Sequence, residues 1–169
     1  MANTMVLIAS NTVGSGGSAS IDFSSIPSTY TDLLIKVSGR DGTYAGDTST
    51  AYFKFNNDAT NQTHRRLVDN SGTVITVGTG TSLALTNMNG TTSTSNTFAN
   101  YEIYIPNYTS SNYKSVLVDG TMENNSSSIY FGFLAGLWSN TAAINRITFT
   151  CDGVFAQYST IYIYGIKNS

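Results

Sequence analysis

The chain has 169 residues, enough to bury one proper core, with a net charge of −2 and only 11% charged residues. Ordinary soluble domains carry roughly 25% charge, so hydroxyl and amide side chains do the solvating here. Apart from Arg65-Arg66 there is no basic patch, which argues against nucleic acid as a partner. The single cysteine, Cys151, excludes an intrachain disulfide.

Met1–Ser10 is apolar for only a few residues and has no Lys or Arg before it. It fits neither a signal peptide nor a membrane span, so we expect synthesis in a cytoplasm and no membrane partner. Thr4–Ser10 reads as a strand with Met5, Leu7 and Ala9 on one face. Val13–Ser18, with Gly14, Gly16 and Gly17, reads as a flexible turn or arm. This gives a division into an N-terminal strand and Gly-rich arm (1–18) and one domain (19–169).

Ala19–Phe23 is the next strand, and Ile26-Pro27 breaks the ladder because Pro lacks an N–H donor. Leu33–Val37 should be a central strand. Arg40–Ser49, with Asp41-Gly42 and Gly46-Asp47, reads as a long exposed loop. Ala51–Phe55 alternates cleanly, and Thr63–Val68 reads as an edge strand carrying His64. Asn70-Ser71-Gly72 reads as a hairpin turn leading into Thr73–Val77. Polar, low-complexity loops at 78–80 and 87–96 flank a short Leu83–Leu85 run.

Phe98–Ile105 is a strong strand ended by Pro106-Asn107, and Tyr113–Val118 alternates. Ser128–Trp138 is the most apolar run, with Gly132 and Gly136 marking a bulge or a close backbone approach. Ile144–Cys151, with Cys151 as a core thiol, and Thr160–Ile166 close the chain. Helix should be confined to a turn near 26–30 or 139–143. About ten short strands without alternating helices predict an all-β, two-sheet sandwich. Long middle loops favour a jelly-roll-like layout over a meander.

Chemistry is sparse. His64 is the only histidine, and its arginine neighbours oppose protonation. Glu102 and Glu123 are the only glutamates available as a hydrolytic pair, while Asp41, Asp47 and Asp58 read as exposed turn residues. No cofactor or metal motif is present, and no enzyme activity is expected. What remains is aromatic: Tyr30, Tyr44, Tyr52, Tyr104, Tyr108, Tyr113 and Trp138 are candidates for a partner or sugar surface.

Several blocks resemble a widespread group of tailed-phage virion proteins. They are Leu7–Gly14, Ser20–Leu33, Phe55-Asn56-Asn57-Asp58, Arg65-Arg66-Leu67, Glu102–Tyr108 and Tyr162–Ile166. The resemblance spans nearly the whole chain and implies a non-enzymatic β-sandwich on the phage particle, either a capsid decoration (cement) protein or a tail-fibre module. No coiled coil or collagen-like shaft precedes the sandwich, which favours cement. The expected partners are then the major capsid protein and further copies of this chain, as a homotrimer matching local shell symmetry. Met5, Val6, Leu7 and Ile8 are the candidate strand for addition to a neighbour, with Tyr44 and Trp138 as aromatic contacts. The alternative is recognition of a host-surface glycan by a tail or fibre module.

Overall fold

A computed structural model describes residues 4–70, 73–74, 79–125 and 129–167. Among them are thirteen strands: β1 (Met5–Thr12), β2 (Ser18–Phe23), β3 (Asp32–Gly39), β4 (Thr48–Phe55), β5 (Gln62–Asn70), β6 (Thr73–Val74), β7 (Thr79–Gly80), β8 (Leu83–Asn89), β9 (Ala99–Ile105), β10 (Lys114–Glu123), β11 (Ile129–Trp138), β12 (Ile147–Phe155) and β13 (Thr160–Ile166). Arg40 and Asp41 add isolated bridges to Asn89 and Phe155, and no described residue is helical, so neither predicted helical turn forms.

The strands build two sheets whose neighbours pair antiparallel, giving the expected all-β sandwich. The larger runs β1-β13-β3-β9-β10-β11-β5-β6, with β7 also on β5, and the smaller runs β2-β12-β4-β8. Period-2 alternation fills the space between them. Leu33, Ile35 and Val37 of β3 point inward beside Ile105, Ile103 and Tyr101 of β9. The small sheet answers with Phe23, Phe53, Phe55 and Phe149. Phe53 stacks on Phe149 at 5.8 Å between ring centroids, and Phe55 tilts against Trp138 at 5.6 Å. Each fully buried ring of this kind is worth about 1.5–3 kcal/mol against exposure.

Three elements are longer than the sequence suggests. β8 continues through Asn89, into what reads as loop, and is buried along nearly its whole length. Its cover comes from β5, β10 and β11 of the larger sheet, which it contacts directly. β10 runs on to Glu123, and β12 runs through Asp152-Gly153 to Phe155. The hairpin turn at 71–72 and most of Thr73–Val77 lie outside the described residues; Asn70 pairs with Thr73 on either side of that turn.

Asparagine explains the turns. Of the eight described non-glycine residues with positive φ, six are asparagine: Asn56, Asn57, Asn61, Asn96, Asn107 and Asn125. Its short side chain tolerates the left-handed region better than most.

Candidate interaction surface

The outward face of the large sheet is the feature that stands apart. On β11 the even-numbered residues Gly132, Leu134, Gly136 and Trp138 point inward, so Ile129, Phe131, Phe133 and Leu137 point to solvent. Leu67 of β5 pairs with Phe133, and Leu117 of β10 pairs with Ala135, extending the apolar area to both neighbours. These six large side chains are between 36% and 59% exposed. Arg65 on β5 and Asp119 on β10, both exposed, flank the stripe. Neither makes a hydrogen bond or ion pair among the described residues, whereas Lys36 and Glu102 on the adjoining strands pair with each other.

Inward glycines produce this face. A Cβ on Gly132 would lie 2.5 Å from Thr86 Cγ2 and 2.8 Å from the Leu67 carbonyl oxygen. One on Gly120, which pairs with Gly132, would fall 2.2 Å from the Tyr101 ring. That ring passes under Gly120, and its hydroxyl donates toward the carbonyls of Thr86 (3.1 Å) and Asn87 in β8. The close approach therefore belongs to the inner face, and Ile129, Phe131, Phe133 and Leu137 of β11 are left outside.

The sequence-predicted aromatics divide. Tyr44 and Tyr113 are exposed. Tyr30, Tyr52 and Tyr104 are half-buried. Trp138 and Tyr108 are fully buried, correcting the expectation that they are surface contacts. Trp138 is the largest core side chain; its indole Nε1 donates to Asp58 Oδ2 at 2.7 Å, and the Lys114 ammonium sits 5.8 Å over its ring. Tyr108 donates its hydroxyl to the Pro27 carbonyl.

The N-terminal candidates lie in β1, which is hydrogen-bonded to β13 with a bulge between Leu7 and Ala9 and forms one edge of the sheet. Met5 and Leu7 are exposed; Val6 and Ile8 are half-buried, and Ile8 packs on the core. The glycine segment that follows is tied at both ends. Val13 is buried and exchanges backbone hydrogen bonds with Tyr158 and Ser159, and Gly17 takes a φ of 73° beside the Phe155 carbonyl.

The acidic candidates serve the loops. Asp41, expected to be exposed, is completely buried and accepts from Thr43 N and Tyr44 N (2.9 Å each), Ser49 Oγ (2.7 Å) and Gly153 N (2.8 Å). Burial alone would raise its pKa, but the four donors outweigh it and hold the carboxyl below the ordinary value. Arg40 beside it clasps the carbonyls of Ser93, Thr94 and Thr97, tying the two loops together. Tyr44 is thus carried on a braced loop. Burial and the nearby Asp41 charge push the Cys151 thiol up to about 12, which suits a packed thiol rather than a nucleophile.

Burial and Arg66 lower the pKa of His64, which is half-buried on β5. Glu102 stands opposite Asp119 on β10, and Glu123 lies four residues further along that strand. Their backbone positions are roughly 13 Å apart at strand rise; the Glu102 carboxylate pairs with Lys36 and that of Glu123 accepts from Asn125 N (2.6 Å), so the two are not brought together as a hydrolytic pair. Among the described residues no group of three or more His, Cys, Asp or Glu could hold a metal.

Fold and surface together define an all-β sandwich with a broad apolar sheet face. No protein-family model matches the chain, and no curated protein matches it.

Proposed function

We propose that this chain is a non-enzymatic structural protein of a tailed-phage virion, working as a capsid decoration (cement) protein that binds and stabilises the shell. The observation that carries the reading is the exposed apolar face of β5, β11 and β10. Cement acts by covering neighbours rather than by turning over a substrate, and a face of this kind supplies area at low desolvation cost because so little of it is charged. The open edge of β1 supports the reading as well, since it can take a strand from a neighbouring shell subunit. The phage-like blocks of the sequence are consistent with it. The strand order supports a jelly-roll-like layout in which the β10–β11 hairpin is inserted between β9 and β5.

Quantitative mass spectrometry of purified particles tests the assignment. A copy number comparable to that of the major shell protein is expected; a handful of copies per particle would overturn it. That second result would favour a tail or fibre module, a reading supported by exposed Tyr44 on its braced loop, with a glycan array as the next measurement.

A further inference from the structure

We propose that the outward face of β5, β11 and β10 docks against the same face of a second copy of this chain, about a two-fold axis running along β11. The inference uses the same face as the virion reading without resting on it: a dimer closed on this face would meet a shell through the open β1 edge instead.

Area comes first. The six large apolar side chains expose on the order of 600 Å², the upper end for the largest patch on an ordinary monomer and most of the ~800 Å² a side of a standard interface. The polar residues around them bring the face to full interface size. Outward Phe131 and Phe133 alternate along β11 with inward glycines, so the stripe is ridged by rings that can interdigitate with those of a copy.

Charge decides the occupant. Ala135 pairs with Arg65 on one side and Leu117 on the other; Phe133 pairs with Leu67 and Asp119. Arg65 and Asp119 therefore stand one strand to either side of β11 and one side-chain row apart. A two-fold along β11 exchanges the two sides, bringing Arg65 of each copy over β10 of the other. The remaining offset along the strand is roughly 7 Å, two residues, within reach of an arginine side chain. Two equivalent ion pairs then close at the two margins of the apolar stripe. A single self-complementary face closes with two-fold symmetry, whereas the three-fold expected from shape and role needs two different complementary patches.

Sedimentation equilibrium of the full chain tests this. The wild type should sediment as a dimer, twice the 18.1 kDa chain. Phe133→Lys should give a folded monomer, its fold confirmed by near-ultraviolet circular dichroism. Arg65→Asp and Asp119→Arg should each weaken the dimer about tenfold or more, and combining them should restore it, since the pair is only exchanged. A monomeric or trimeric wild type would overturn the proposal, as would a dimer indifferent to Phe133→Lys or a double exchange that fails to recover.

Discussion

Asp58 ties a surface turn to the deepest aromatic of the core. It accepts from the Trp138 indole, the Thr60 amide and hydroxyl, and the Asn61 amide group, and the indole bond does most to hold its carboxyl far below the usual value. Asp41 does the same for the loops around Tyr44. Both carboxyls are more acidic folded than unfolded. Their stabilisation is therefore complete above the unfolded value near ~4 and is lost as pH falls through the folded values. Urea midpoints should hold steady down to about pH 5 and drop steeply below about pH 4. Asp58→Asn should be less stable at neutral pH and show a shallower acid slope; an unchanged slope would remove Asp58 from this role.

At the scale of elements, β10 and β11 are held by what they lack. Gly120→Ala drives a methyl group into the Tyr101 ring and toward the Asn100 carbonyl, with no flexible side-chain end to give way. It should cost about 1–3 kcal/mol in chemical denaturation. Ala135→Ser, on the outward face of the next strand, should stay within about 0.5 kcal/mol. The same strands show where reading the sequence stops. Thr160–Ile166 is legible to the residue because isoleucine and tyrosine alternate. Ser128–Trp138 is legible as a strand but not in orientation, since large apolar groups fall on both faces. From composition alone Trp138 reads as a surface aromatic, the reverse of its burial, and the phenylalanines have no assigned side. The inner face was written in Gly132 and Gly136: only a surface pressed against another sheet needs the missing Cβ. β8 beyond Leu85 was hidden for another reason. Thr86, Asn87 and Asn89 are polar yet form strand, because the large sheet packs over β8 and supplies partners such as the Glu123 carbonyl, which accepts from Asn89. Asp41 was equally hidden, since its four donors come from residues up to 112 positions away.

For the whole molecule, the two-sheet architecture was legible from strand number and spacing, while the docking face emerges only once the β5-β11-β10 order is known. β1 has a double role, covering the β13 edge and presenting its own. Deleting residues 1–17 removes buried Val13 and the partly buried Ile8 and Ala9. This should lower stability by on the order of 3 kcal/mol in urea titration and, under the proposed virion role, weaken particle binding. The bared β13 edge should also make the truncated protein prone to aggregate, visible by light scattering. An equally stable truncation would show that β1 serves only as an outward edge.

The pairing of β1 with β13 sets an order of events as well as a shape. Met5 lies opposite Ile166, so the first of the described strands finds its one neighbour among them in the last. Until then, Leu7 and Ile8 wait without their sheet. The large sheet cannot close until β13 has been made; its final seam forms at the rate of a search spanning the chain between β1 and β13. Unfolding from that seam frees β1 and β13 together, making it a natural place for the molecule to open under load.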